Sequence, residues 1–148
     1  RHPQCVSELA ELAAGAFQPV LADPSEPDPA TVERVLVCSG KIYYELVDQR
    51  EKLGRTDVAI VRLEQLHPLQ ERDLSAALAP YTKAQQVRWV QEEPRNMGAW
   101  QYLYCRFGTS MCGRTLDGIT RDASASPATG SPSAHKMEQQ QILDAAFA

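Results

Sequence analysis

The sequence predicts an α/β fold in three layers, a largely parallel sheet covered by helices on both faces. Two features carry this. Short β-branched apolar runs such as Val32–Cys38, Asp57–Leu63 and Val87–Gln91 lack the polar alternation of a half-exposed strand. Between them lie stretches whose apolar residues recur at spacings of three and four.

Taken in order, the first unit is a strand over Val32–Cys38 and a helix after Ser39-Gly40, with Ser39 as its expected cap. In that helix Ile42, Tyr43, Leu46, Val47, Arg50 and Leu53 recur at spacings of three and four, which puts the apolar residues on one stripe, and Gly54 ends it. The second unit is a strand over Asp57–Leu63 and a helix from Gln70 to Ala79, stopped at Pro80. The third is a strand over Val87–Gln91 and, after Pro94, a helix from about Gly98 through Phe107. A fourth strand is expected over Leu116–Arg121, a loop over Ala123–Gly130, and a closing helix over His135–Phe147 burying Ile142, Leu143, Ala146 and Phe147.

Ahead of these units the pattern is weaker. A short helix is expected near Leu9–Ala13, with Ser7 as cap and Gly15 as stop. Residues 22–30 hold three prolines and three acids, which disfavour helix and sheet alike. The expected division is therefore an N-terminal arm and Pro-rich linker over 1–30, and one α/β domain over 31–148. A chain of 148 residues is long enough for one such core. The start at Arg1-His2-Pro3, without Met, reads as a piece of something longer.

Composition excludes several function classes. A net charge of −4, with 15 Lys and Arg scattered along the chain, offers no footprint for nucleic acid. No apolar run approaches the roughly 20 residues of a membrane span. Cys5, Cys38, Cys105 and Cys112 form no C-x-x-C pair and are expected as reduced thiols. The histidines, His2, His67 and His135, are not interleaved with them, so no metal site is expected.

Candidate chemistry gathers after the strands, where open α/β sheets bind ligands. Ser39-Gly40-Lys41 at a strand-to-helix turn fits a weak anion site, though a plain helix start is the simpler reading. Glu92 and Glu93 are paired carboxylates suited to acid and base work, but also to bonding the next helix's N-terminus. His67 lacks any nucleophile at triad spacing and reads as a turn residue. Ser124–Gly130 fits either an anion nest or an extended segment packed on a neighbouring domain.

Four segments together carry a resemblance: Ser39-Gly40-Lys41-Ile42-Tyr43-Tyr44-Glu45-Leu46, Val58–Leu66, Gln91-Glu92-Glu93-Pro94-Arg95-Asn96-Met97-Gly98-Ala99-Trp100, and Ser124-Ala125-Ser126-Pro127-Ala128-Thr129-Gly130. In order and spacing they resemble the C-terminal domain of 2-oxoglutarate dehydrogenase decarboxylating components, across essentially the whole chain. Arg1-His2-Pro3 resembles the segment leaving the preceding pyrimidine-binding domain.

The resemblance implies a transketolase C-terminal-like fold, three layers around a mostly parallel five-stranded sheet. It implies a parent enzyme that uses thiamine diphosphate and magnesium to decarboxylate 2-oxoglutarate and passes the succinyl group to lipoyl on an acyltransferase core. The cofactor supplies that chemistry. The G-D-G…N cradle is missing here, so no catalytic, cofactor-binding or metal residue is expected in this chain. The implied partners are a homodimer mate, the preceding domains and the acyltransferase core, with no nucleic acid and no membrane. The implied compartment is bacterial cytoplasm or mitochondrial matrix. A related domain serves 2-oxoadipate dehydrogenases, an alternative parent.

In actinobacterial members the domain also forms part of an acetyl-CoA site. Gln65 and Arg72 stand where that site has Gln and Arg, while Ala16, Pro19 and Asp73 stand in place of Lys, Ser and a second Arg. Each charge-assisted contact is worth about 1.5–3 kcal/mol, so these losses argue against polyphosphate binding. A regulatory module for a nucleotide or acetyl-CoA remains the alternative function. Glu93, Asn96, Trp100 and Tyr102 are the expected interface residues.

Overall fold

The computed structural model describes residues 3–148. Arg1 and His2, part of the segment read as leaving a preceding domain, lie outside them. Along the chain run α1 (Leu9–Ala14), β1 (Val20–Leu21), β2 (Arg34–Cys38), α2 (Ile42–Leu53), β3 (Val58–Leu63), α3 (Glu71–Leu78), β4 (Gln86–Pro94), α4 (Trp100–Phe107), β5 (Ser110–Met111), β6 (Arg114–Arg121) and α5 (Pro132–Phe147).

The sheet order is β1-β3-β2-β4-β6-β5. Its four central strands are parallel, and β1 and β5 pair antiparallel at the edges. The six strands exceed the five expected, because two-residue edge strands leave no periodic trace in a sequence.

The alternation of side chains along a strand builds the three layers. On one face Val35, Val37, Val61 and Trp89 pack with Leu74 and Leu78 of α3 and with Trp100 and Leu103 of α4. On the other, Leu36, Cys38, Ile60 and Val90 pack with Ile42 and Leu46 of α2 and with Ile142, Leu143 and Phe147 of α5. Strands β2 and β3 are apolar on both faces because each face meets a helix layer.

The Pro-rich segment differs from its reading as a linker. Val20 and Leu21 pair with Leu63 and Arg62, and the next turn buries Asp23. Asp23 Oδ2 accepts from the Ile60 backbone N–H at 2.7 Å and from the Arg50 guanidinium, while Oδ1 accepts from Ser25 N at 3.0 Å. The segment thus continues the folded domain, since one anchored carboxylate fixes it where prolines leave few backbone donors.

The helix caps also differ. Helix α1 starts at Glu8, not Ser7, through a capping box in which the Glu8 N–H donates to Glu11 Oε2 at 2.9 Å. Ser39 does not cap α2, because Gly40 at φ +70° turns the chain away and Lys41 opens the helix. At the far end, Arg34, Arg55 and Arg88 donate to the carbonyls of Ala146, Phe147 and Ala145 at 3.1, 2.6 and 3.0 Å, so cations from β2, β4 and the loop before β3 close the C-terminus of α5.

Candidate functional site

From β2 the chain turns to β3 on one side of the sheet, and from β4 it continues to β6 on the other. The gap between the carboxyl ends of β2 and β4 is therefore the topological switch point, where open α/β sheets place ligands. A cleft of about 690 Å³ opens there, walled by Lys41, Leu66, His67, Trp89, Glu92 and Tyr102.

Its polar floor is closed on itself. Lys41 Nζ pairs with Glu45 at 2.5 Å and with Glu92 at 2.7 Å. From α5, Gln139 Nε2 donates to the same two carboxylates at 2.8 and 3.0 Å. Burial opposes charge on both Lys41 and Glu45, yet their pairing prevails: it raises the Lys41 pKa and holds the Glu45 carboxyl below its ordinary value. With Glu93 also in its lining, the cleft sets two carboxylates against one lysine, an arrangement unfavourable to phosphates. The simpler reading of Ser39-Gly40-Lys41, a helix start, is the one that fits.

The rim is pinned by Gln91, 3% exposed. Its Oε1 accepts from Trp89 Nε1 and from the Trp100 backbone N–H, both at 2.9 Å, and its Nε2 donates to the Met97 carbonyl at 2.8 Å. Gly98, at φ +65°, passes so close that a Cβ there would stand 2.9 Å from Gln91 Oε1. The turn 95–99 is thereby fixed to the end of β4. Gln91 and Gln139 were not singled out from the sequence. A buried Trp two residues before Gln91 needs an indole acceptor, which is a usable signal. Gln139 shares a helix face with Ile142 and Leu143, which marks it as facing inward.

The expected interface residues separate. Glu93 is exposed, its backbone carbonyl accepting from Gln91 Nε2 at 3.3 Å while its carboxylate has no ion-pair partner among the described residues, and Tyr102 is half-buried in the cleft wall. Asn96 is exposed, but its amide exchanges two bonds with the Ser124 backbone, at 2.8 and 3.0 Å. Trp100 is a correction: it is 3% exposed, filling the core over Gly118, and presents no interface surface. Its indole faces a glycine whose missing side chain makes the room. His67 lines the cleft with Ser39, and no hydrogen bond joins its side chain to Ser39 or to another side chain among the described residues.

The segment Ser124–Gly130 is strapped down by Arg121, which donates to Pro127 O and Thr129 Oγ1, both at 2.7 Å, and to Glu138 at 3.2 Å. Arg121 also bonds the Glu92 carbonyl, joining this loop to the cleft rim. Its charge is spent within the chain.

The family described as 2-oxoglutarate dehydrogenase C-terminal matches residues 6–147. The chain belongs to that family. Among its relatives, the 2-oxoglutarate dehydrogenase E1 component of Azotobacter vinelandii is 45% identical over 99% of this chain, and that of Haemophilus influenzae is 44% identical over 99%. The multifunctional 2-oxoglutarate metabolism enzyme of Mycolicibacterium vanbaalenii is 42% identical over 99%. The chain spans 16% of the length of the first two relatives and 12% of the third.

Within the 2-oxoglutarate dehydrogenase C-terminal family frame, the two positions carried over from an acetyl-CoA site lie on neighbouring pieces of the fold. Gln65 follows β3, its backbone N–H donating to Pro19 O at 3.1 Å and its Nε2 to Pro68 O at 2.8 Å. Arg72 is exposed in the first turn of α3, with no ion pair among the described residues, and Asp73 is exposed beside it. The structure sets Pro19 against Gln65; among the described residues no hydrogen bond or ion pair joins Arg72 to them.

Proposed function

We propose that this chain is the non-catalytic C-terminal domain of the thiamine diphosphate-dependent decarboxylating component of 2-oxoglutarate dehydrogenase, which supports the preceding domains and helps form a homodimer. The observation that carries the reading is the family match over 6–147 within relatives about six times longer. The cleft geometry supports the reading, because its Lys41 is held in ion pairs with Glu45 and Glu92.

The residues present do not fit the cofactor's diphosphate and magnesium. The cleft lining offers one lysine against two carboxylates, and among the described residues no three His, Cys, Asp or Glu side chains gather as metal ligands. Thiamine diphosphate and its magnesium belong to the preceding domains in this reading, and the succinyl group passes to the acyltransferase core. The bacterial relatives favour bacterial cytoplasm as the compartment and 2-oxoglutarate, not 2-oxoadipate, as the parent substrate.

The test is thiamine diphosphate-dependent decarboxylation of 2-oxoglutarate, measured on this chain and on the longer product of its gene. Turnover only in the longer protein is expected. Turnover by this chain alone, or by neither with 2-oxoglutarate, overturns the reading.

A further inference from the structure

Three guanidinium groups converge where α5 ends. Arg34 and Arg88 stand on adjacent parallel strands two register positions apart, since Arg34 pairs with Gln86 and Arg88 with Leu36. Both are half-buried on the face that α5 covers, and they donate to the carbonyls of Ala146 and Ala145. Arg55, from the loop before β3, donates to the Phe147 carbonyl. Three consecutive carbonyls of one helix end thus hold three cations side by side.

Their charges are not balanced. Arg55 takes Asp57 in a two-pronged ion pair, Nε to Oδ1 and Nη2 to Oδ2, both at 2.7 Å, and Glu33 also acts on Arg55. Arg34 and Arg88 form no ion pair among the described residues. Asp117, opposite Arg88 on β6, is exposed, and its Oδ1 accepts from the Gly118 N–H at 2.7 Å. The end of α5 offers the two remaining guanidiniums only about half a negative charge. Arg34 registers the crowding: burial, then Arg88 and Arg55, lower its pKa, with Asp57 acting against them. Donors are also left over, because Arg34 commits only Nη1 and Arg88 only Nε and Nη1.

We infer that Arg34 and Arg88, beside the last turn of α5, form an oxyanion site for the phosphate or carboxylate group of a small solute. Guanidinium forks match the paired oxygens of both groups, and an anion there supplies the counter-charge that the two lack. The site lies toward the amino ends of the strands. The switch-point cleft, at their carboxyl ends, instead sets two carboxylates against one lysine. Anion chemistry therefore belongs to the edge where open α/β sheets do not usually bind ligands.

Nuclear magnetic resonance of the arginine Nε–H groups tests this on the present chain. Sodium phosphate and sodium succinate are titrated separately against sodium chloride of equal ionic strength. The Arg34 and Arg88 signals are expected to move saturably, half-way between about 1 and 10 mM, while Arg106 on α4, which covers the other face of the sheet, stays still. Saturation by phosphate alone assigns the site to phosphate groups, and saturation by succinate alone assigns it to carboxylates. Arg34→Gln and Arg88→Gln are each expected to weaken binding at least about tenfold, as loss of a charge-assisted bond does. Saturation by neither anion overturns the inference, as does movement of Arg106 in step with the other two or an affinity unchanged in both variants.

Discussion

A Cβ on Gly118 would stand 2.7 Å from the indole of Trp100. The two meet across the sheet face, where β6 lacks a side chain so that the first residue of α4 can lie flat on it. Trp100 is 3% exposed and Gln91 also holds its backbone N–H, so it has little freedom to move aside. Gly118→Ala is expected to destabilise the domain by about 1–3 kcal/mol, the usual cost of overpacking. Urea denaturation followed by tryptophan fluorescence checks it.

Asp23 and Arg50 form an ion pair with side chains 0 and 9% exposed. Burial raises the Asp23 pKa, but bonds from Arg50, Ser25 and Ile60 outweigh it and hold the carboxyl below its ordinary 3.8. Asp23→Ala leaves Arg50 buried and unpaired, an expected loss of about 3–5 kcal/mol at neutral pH. A depressed carboxyl stabilises fully above the unfolded value of about 3.9, and this is lost as pH falls through the folded value. The stability gap between wild type and variant should therefore hold steady from pH 7 to 5 and narrow below about pH 4. Denaturant midpoints across that range measure it.

The four thiols should separate by access. Cys38 is fully buried in β2, and burial pushes its pKa far up, with Glu64 adding in the same direction. Cys5 and Cys105 are exposed and Cys112 is half-buried. A thiol reagent at pH 8 is expected to label Cys5 and Cys105 first, Cys112 more slowly, and Cys38 only on unfolding. Mass spectrometry of a labelling time course gives the order.

Gln65 and Arg72 hold the only carried-over identities of the acetyl-CoA site, while Asp73 adds an anion beside Arg72. Calorimetric titration of the longer gene product with acetyl-CoA is expected to give no saturable heat at about 1 mM ligand. Saturable binding lost in Arg72→Ala would restore a regulatory role for the domain.

Much of the fold was legible because β2 and β3 are buried on both faces and read as nearly unbroken apolar runs, with β4 apolar around Val87, Trp89 and Val90. Their helices carry clear stripes and a glycine stop at Gly54. The edge strands were not legible, since Val20–Leu21 and Ser110–Met111 are defined by pairing with distant residues and not by any local pattern. Residues 22–30 misled because proline density records lost donors but not the anchor that Asp23 supplies. At the cleft, Lys41, His67, Glu92 and Tyr102 follow from position after a strand or in the helix beyond it. Gln139 comes from the last helix, 47 residues beyond Glu92, and Trp100 belongs to the core because of a glycine 18 positions later. Such long-range placements leave no local signature.

The most direct test of the central claim is to remove residues 1–148 from the longer gene product and measure its mass in solution together with its 2-oxoglutarate turnover. A monomer without turnover is the expected result. A dimer that keeps full turnover would contradict a structural and dimer-forming role for this domain.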